Sequence, residues 1–236
     1  MIDNTIPKRA MVIVAHPDDA EFTVAGTVAL WASRGCRVSY VLCTRGDRGS
    51  NDPAVTPWAL APVRMAEQRA ACAILGVQDV TFLDYSDGTL EPTLALRRDL
   101  TREIRRWRPE IVICSDPTVR FYGDSYLNHP DHRAAGSAAL DAVFPSAETR
   151  YIFPELLAEG FEPHRVNAVY IHGSPEPNVW IDISSTLDLK VRALQQHKSQ
   201  VDAEGAEGVR NWAQEEGRSQ GLAAAESYRR MIINGD

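Results

Sequence analysis

Short apolar runs rich in β-branched residues alternate along the chain with longer segments in which apolar residues recur at helical spacing. The runs predict strands at residues 10–15, 37–44, 79–83, 110–114 and 166–172, and the longer segments predict helices at 23–33, 63–75, 94–107, 132–143 and 187–197. Elements that alternate in this way indicate an α/β fold: a Rossmann-like, doubly wound, mostly parallel sheet with helices on both faces.

No linker or internal repeat divides the pattern, so we expect a single domain over residues 1–236. Residues 45–62 are rich in Gly, Asp and Pro and predict a long loop. The segment 202–236 is weakly specified and is interpreted as a mobile or capping segment. Because parallel sheets carry their sites beyond the C-terminal ends of the strands, the loops after the first, second and fourth strands should form the functional edge.

Composition narrows the functional classes. Hydrophobic residues make up 44% and charged residues 24% of the chain, which is typical of a globular protein, and the net charge of −7 argues against a nucleic-acid partner. No apolar segment approaches the ~20 residues that span a bilayer, and no signal peptide is visible, so we expect a cytoplasmic protein without a membrane partner. The four cysteines form no CxxC pair, which argues against a disulfide framework or a thiolate zinc site.

The densest cluster of polar residues is AHPDDAE at positions 15–21, directly after the first predicted strand. It contains His16 and the carboxylates Asp18, Asp19 and Glu21, which repel one another unless a cation compensates them. Neutral imidazole and ionised carboxylate are good zinc ligands, so a divalent metal is the natural compensating charge. We interpret Glu21 as a residue of the first helical turn, favoured there by the helix dipole.

A second cluster, HPDHR at positions 129–133, follows the strand at 110–114 and should lie at the same edge of the sheet. His16, Asp19 and His132 would supply three ligands and leave the fourth zinc position open, as in catalytic zinc sites. Each cluster alone also fits a helix start with a capping Asp and a Pro in the first turn. Two such clusters at converging strand ends favour the metal site.

Together the two motifs resemble the LmbE/PIG-L family of zinc-dependent N-deacetylases, which includes the deacetylases of mycothiol and bacillithiol synthesis. Weaker family signatures follow in the expected order at 64–67, 84–88, 108–109 and 194–200, so the resemblance covers nearly the whole chain. It implies a single Zn²⁺ per chain, or another divalent metal such as Fe²⁺, held by His16, Asp19 and His132. It also implies that Asp18 is the general base, and since Asp18 adjoins a ligand, its carboxylate can reach metal-bound water without binding the metal.

The resemblance implies further roles. Protonated His129 would stabilise the oxyanion, and Asp131 would hold the tautomer of His129 and raise its pKa. Arg64, Asp87 and Asp47 would bind substrate. Arg64 has the alternative interpretation of a solvated helix-face arginine, and Asp87 that of an ordinary turn residue. Asp47 lies in a loop, TRGDRG, where the family usually has Glu, so its side chain is one methylene shorter than the usual one.

The sequence leaves two assignments open: the identity of an active-site tyrosine and the role of His197. Some family members carry tyrosine where this chain has Leu127, which leaves Tyr122 and Tyr126 as candidates for an active-site tyrosine. His197, in the His-x-Ser-Gln signature, fits packing, an interface or substrate contact.

The predicted function is that of a zinc-dependent hydrolase that removes an N-acetyl or other N-acyl group from an amino sugar or small glycoconjugate, by general-base activation of metal-bound water. The alternatives are an amidase acting on thiol conjugates, a non-catalytic Rossmann-like protein that binds sugar or nucleotide, and a metal-dependent phosphoesterase. The expected partner is a small N-acylated sugar. A homo-oligomer, trimer or hexamer as in some relatives, is a further expectation from the resemblance.

Overall fold

The computed structural model describes residues 1–234. The strands are β1 (Arg9–Val14), β2 (Arg37–Thr44), β3 (Asp79–Tyr85), β4 (Ile111–Ser115), β5 (Phe121–Tyr122), β6 (Tyr126–Leu127), β7 (Ala168–His172), β8 (Val179–Asp182) and β9 (Ala225–Ile232). The α-helices are α1 (Asp19–Thr23), α2 (Ala25–Ser33), α3 (Pro57–Leu75), α4 (Leu94–Trp107), α5 (Pro130–Asp141), α6 (Glu155–Ala158), α7 (Leu187–Leu194) and α8 (Ala203–Arg218).

The main sheet has the strand order β3-β2-β1-β4-β7-β9-β8. Strands β3, β2, β1, β4 and β7 run parallel, and β9 is antiparallel to both of its neighbours, β7 and β8. Strands β5 and β6 form a separate antiparallel hairpin. The predicted α/β architecture with a mostly parallel, doubly wound sheet is confirmed.

Both faces of the sheet are buried, which explains why the central strands are continuous apolar runs instead of alternating ones. Along β1, Val12 and Val14 pack into one core with residues of α2, α3, α7 and α8, whereas Met11 and Ile13 pack into a second core with α4 and α5. The successive side chains of one strand therefore hold two helical layers together.

The bounds of several helices differ from the prediction, among them α5, predicted at 132–143, and α7, predicted to end at residue 197. Helix α3 begins at Pro57, inside the segment predicted as loop, because the Thr56 hydroxyl accepts the Ala59 N–H at 3.3 Å and Pro57 suits the first helical position. Pro62 lies within this helix, so the prediction that the loop extends to residue 62 was wrong. The first predicted helix is divided at Val24 into α1 and α2.

In its described part, residues 202–234, the C-terminal segment contributes to the core, so its interpretation as a mobile segment was wrong. Helix α8 covers one face of the sheet, and β9 lies between β7 and β8. Glu226, on β9, accepts the backbone N–H groups of Gly26 and Thr27 at 2.9 and 2.8 Å and pairs with Lys190 at 2.6 Å. This buried carboxylate thus joins the end of the chain to the start of α2.

Among residues 1–234, no helix is both long enough and apolar enough to cross a membrane.

Candidate active site

The two polar motifs meet at the C-terminal edge of the sheet because their strands are neighbours in register. Ile13 of β1 pairs with Cys114 of β4, so the loops that follow the two strands leave the sheet side by side. Helix α5 approaches β4 closely at Gly136, where a Cβ atom would lie 2.3 Å from the Ser115 carbonyl oxygen. The Ser115 hydroxyl donates to the His132 carbonyl at 2.6 Å, which ties the first turn of α5 to β4.

Asp19 bridges the two predicted histidine ligands. Its Oδ1 lies 3.1 Å from Nε2 of His132, and its Oδ2 lies 3.5 Å from Nδ1 of His16. Oδ2 also accepts the backbone N–H groups of Ala15 and His16 at 3.1 and 2.8 Å. These bonds fix the orientation of the carboxylate and leave Oδ1 without a backbone donor, as the atom that could bind a metal.

Each of the two imidazoles has its other ring nitrogen held by an acceptor. His16 Nε2 lies 3.1 Å from Asp87 Oδ1 and 3.2 Å from Asp131 Oδ2, and His132 Nδ1 lies 3.2 Å from Asn128 Oδ1. A ring nitrogen that donates to such an acceptor leaves the opposite nitrogen unprotonated and free to bind a metal. The donor set of His16 Nδ1, Asp19 Oδ1 and His132 Nε2 therefore fits a divalent cation.

Other combinations of donors are also close together. Ligand atoms of His16, His129 and His132 lie within 4.8 Å of one another, and so do those of His16, Asp87 and Asp131. In the second set both carboxylates already accept backbone N–H groups: Asp131 from Gly88 and Leu90, and Asp87 from Arg48. Those bonds make Asp87 and Asp131 better suited to orienting His16 than to binding a metal.

The electrostatic surroundings favour positive charge at the cluster formed by His16 and its neighbouring carboxylates. Burial alone would lower the pKa of His16, but Asp19, Asp131 and Asp87 outweigh it and hold that pKa well above its ordinary value. Burial would raise the pKa of Asp19, but the two neighbouring imidazoles hold it well below its ordinary value. For Asp87, burial is likewise outweighed by the contact with His16, and its pKa falls to about 2.

Asp18 lies beside this cluster in an unusual backbone conformation. Its φ is +87°, in the left-handed region that non-glycine residues rarely adopt. The Asp18 N–H donates to Gln68 Oε1 at 3.0 Å, and its carboxylate accepts from Arg64 Nη2 at 3.0 Å. Burial and the charge of Asp19 raise the pKa of Asp18 to about 6, although Arg64 partly opposes this. A carboxylate with this pKa suits general-base chemistry near neutral pH.

Arg64 is buried, so its interpretation as a solvated helix-face arginine was wrong. Besides Asp18, its guanidinium donates to the carbonyl oxygens of Gly46 at 2.9 Å and Pro17 at 2.7 Å. A Cβ atom at Gly46 would lie 2.3 Å from the Arg64 guanidinium, and Gly46 also has a φ of +64°. Gly46, the first glycine of the TRGDRG loop, is therefore required by the close approach of Arg64.

The other two residues of the predicted substrate-binding set differ in surroundings. Asp87 is buried and its carboxylate contacts His16, so it does more than an ordinary turn residue would. Asp47 is partly buried, and within the described chain its carboxylate has no hydrogen-bonding partner. The structure thus brings Asp87 to the cluster and leaves the Asp47 carboxylate free.

His129 and Asp131 are arranged differently from the prediction. The Asp131 carboxylate lies 3.9 Å from His129 Nδ1, too far for a hydrogen bond, and instead contacts His16. His129 Nδ1 accepts the backbone N–H of Asp131 at 3.2 Å, so the proton of the neutral ring is on Nε2. Burial and the charge of His16 lower the pKa of His129, and although Asp131 acts to raise that pKa, as expected, its effect is outweighed.

A cavity of about 620 Å³ opens beside Asp19 and His132 and is also lined by Tyr122, Tyr126 and Trp212. Both candidate tyrosines thus face the site, and the Tyr122 hydroxyl donates to the Gly173 carbonyl at 3.0 Å. Leu127 is exposed. His197 is fully buried against Glu21, which supports packing among its three interpretations.

Sequence reasoning missed Gln68 and Asn128. Both are buried and bond to site residues, Gln68 to Asp18 and Asn128 to His132. Gln68 lies four residues after Arg64 on α3, so helical spacing could have placed the two side chains on one face. Asn128 immediately precedes the HPDHR motif, and this position in the sequence is the signal that could have identified it.

Comparison with known proteins identifies the family. The family described as PIG-L, GlcNAc-PI de-N-acetylase, matches residues 11–143. Diacetylchitobiose deacetylase of Thermococcus kodakarensis is 35% identical over 193 residues, which cover 82% of this chain and 70% of that protein. The structure of N,N'-diacetylchitobiose deacetylase from Pyrococcus horikoshii is similar with a TM-score of 0.88 and 29% identity, over 96% of this chain and 84% of that one.

A second similar structure has another activity in its name. GalB, the 4-carboxy-2-hydroxymuconate hydratase of Pseudomonas putida, has a TM-score of 0.81 and 25% identity over 97% of this chain and 98% of that one. The family match and the 35% identical relative nevertheless agree with the two motifs and with the geometry of the site. This chain belongs to the PIG-L (LmbE-like) family of deacetylases, hydrolases that act on amide bonds.

Proposed function

We propose that this protein is a zinc-dependent hydrolase that removes the acetyl group from the amino nitrogen of an N-acetylated sugar, with Asp18 as the general base. The observation that carries the proposal is the position of the Asp18 carboxylate beside three converging donors, His16, Asp19 and His132. A protein that only bound sugar or nucleotide would need no such carboxylate.

His16, Asp19 and His132 would hold the metal through the donor atoms identified above. Zinc, when bound, supplies a Lewis acid that polarises the amide carbonyl and lowers the pKa of a water molecule to about 7. The oxygen-rich surroundings also suit Fe²⁺, and metal analysis separates the two.

Residues of the protein would then carry out the proton transfers. Asp18 takes a proton from the attacking water, which its pKa of about 6 allows at neutral pH. His129 donates a hydrogen bond from Nε2 to the oxygen on which negative charge develops. Because the pKa of His129 is lowered, it acts as a neutral donor, and the proton held by Asp18 passes to the departing amine.

The substrate class follows from the named relatives of Thermococcus kodakarensis and Pyrococcus horikoshii, which deacetylate diacetylchitobiose. We propose an N-acetylated amino sugar or a small conjugate of one. The free carboxylate of Asp47 would accept sugar hydroxyl groups. Arg64 and Asp87 would border the sugar while they orient Asp18 and His16, with which they are already bonded.

The test is an assay for released primary amine with fluorescamine, run on the zinc-loaded protein with N-acetylglucosamine and diacetylchitobiose. We expect about one zinc per chain and one amine released per acetate formed. Asp18→Asn serves as the control and should keep the metal and lose the activity. A protein that binds zinc and releases no amine from any N-acetylated sugar would refute the proposal.

The second candidate function is hydration of an unsaturated acid, because GalB shares the fold over nearly the whole chain. The same preparation is therefore given 4-carboxy-2-hydroxymuconate, and its consumption is followed by absorbance. Amine release without hydration supports the deacetylase, and the reverse result replaces it.

A further inference from the structure

Three buried side chains connect the segment after α7 to the backbone of Asp18. His197 Nε2 lies 3.2 Å from Glu21 Oε2, and Gln68 Nε2 donates to Glu21 Oε1 at 3.0 Å. Gln68 Oε1 in turn accepts the Asp18 N–H at 3.0 Å. His197, Glu21 and Gln68 all have no exposed surface. The result is one continuous chain of hydrogen bonds that ends on the proposed base.

The conformation of Asp18 explains why such support is needed. A non-glycine residue at a φ of +87° is strained, and it persists only where its surroundings hold it there. The contact of the Asp18 N–H with Gln68 is part of that restraint. Gln68 can offer its oxygen to Asp18 only while its NH₂ group is held on the opposite side, and Glu21 is the group that holds it.

The rest of the His-x-Ser-Gln segment reinforces the same region. The backbone N–H and the hydroxyl of Ser199 donate to the Glu67 carboxylate at 2.9 and 2.7 Å. A Cβ atom at Gly49 would meet Gln200 Oε1 at 2.8 Å and Arg64 Nη1 at 2.6 Å. Residues 197–200 therefore pack along the part of α3 that carries Arg64 and Gln68.

We propose that His197, Glu21 and Gln68 are positioning residues that hold Asp18 in its left-handed conformation and so aim its carboxylate at the site. This inference rests on the proposed function, in which Asp18 is the base. None of the three side chains is hydrogen-bonded to His16, Asp19 or His132, so each would act through Asp18. Their effect should appear in the rate of the chemical step while substrate affinity and metal content stay the same.

A separate buried pair, Lys190 and Glu226, provides a matched control. Lys190 and Glu226 are also buried and lie 2.6 Å apart, but neither contacts Asp18, Arg64 or Gln68. Replacing Glu226 with Gln should lower stability without moving the base. It therefore reports what the loss of a buried ion pair does by itself.

The test compares His197→Phe, Gln68→Met and Glu226→Gln for kcat, KM, zinc content and Tm. We expect kcat to fall about 10²-fold in the first two variants, with KM and zinc content unchanged, because a small misplacement of a catalytic group has an effect of that size. Glu226→Gln should lower Tm and keep the kcat of the wild type. Glu21→Gln keeps an oxygen for Gln68 and an N–H for His197, so it should retain more activity than Glu21→Ala.

An unchanged kcat in both His197→Phe and Gln68→Met would overturn the inference and leave the network a purely structural one. Crystal structures of the same two variants give a readout that does not depend on activity. Asp18 should leave the left-handed region in them, and an unchanged Asp18 backbone in both would equally overturn the inference. Failure of the wild-type protein to release amine refutes the proposed function instead, and the crystal structures still decide what holds Asp18.

Discussion

Replacement of Glu226 by Gln tests whether the C-terminal strand is held by a buried charge. The Glu226 carboxylate interacts with four donors: the N–H groups of Gly26 and Thr27, the Lys190 ammonium and the Tyr228 hydroxyl, at 2.6–3.1 Å. Gln preserves the volume but removes the charge. Lys190 would then be a buried cation, 1% exposed, without its partner.

The structure sets the size of the expected effect. Removing one partner of a buried ion pair costs about 3–5 kcal/mol, because the remaining charge keeps its desolvation penalty without compensation. A domain has a free energy of unfolding of about 5–15 kcal/mol, so Glu226→Gln should lose a large fraction of it. Lys190→Met should cost a similar amount. The double variant leaves no buried charge and should cost clearly less than the sum of the two single changes.

Urea unfolding followed by circular dichroism measures these differences, with the m-value as a check on two-state behaviour. Glu176→Gln is the matched control. It removes an exposed partner of Arg229 at 2.8 Å, and such pairs contribute about 0–1 kcal/mol. The reasoning is refuted if Glu226→Gln behaves like Glu176→Gln, or if the effects of Lys190→Met and Glu226→Gln simply add.

Four further predictions concern the site. Asp18→Asn should retain zinc by elemental analysis and lose about 10²–10⁴-fold in kcat, since a positioned base contributes that much; an unchanged rate would remove Asp18 as the base. The rate of the wild type should rise with pH through about 6 and then level off, because the Asp18 carboxylate must be ionised to accept a proton; a pH–rate profile that is flat from 5 to 8 would contradict this. His129→Ala should lower turnover with zinc content intact, and loss of zinc would make His129 a ligand. Gly46→Ala should lower both Tm and kcat, because its Cβ would collide with the Arg64 guanidinium that holds Asp18; wild-type values of both would show that the loop adapts.

Much of the fold could be predicted because its central strands and most of its helices are local patterns. Strand β2 and helix α4 have the predicted bounds. Strand β9 could not be predicted, because its sequence includes Glu226, which belongs in a core only when Lys190 arrives from α7 to compensate its charge. The start of α3 was missed because the Gly, Asp and Pro content of residues 45–62 predicts a loop, although Thr56 caps the helix and Pro57 suits its first turn.

The site divides in the same way. By itself, the sequence determined the chemical inventory: His16, Asp18 and Asp19 follow one strand, His132 follows another, and parallel strands present their ends at one edge. Tertiary structure alone decided how each group is used. Asp131 contacts His16 and not His129, Arg64 is bonded to Asp18, and Glu21 links His197 to Gln68, which accepts the Asp18 N–H. The physical reason is that a motif fixes which donors and charges are neighbours along the chain, whereas the pKa and partner of each buried group depend on residues that only folding brings within hydrogen-bonding distance.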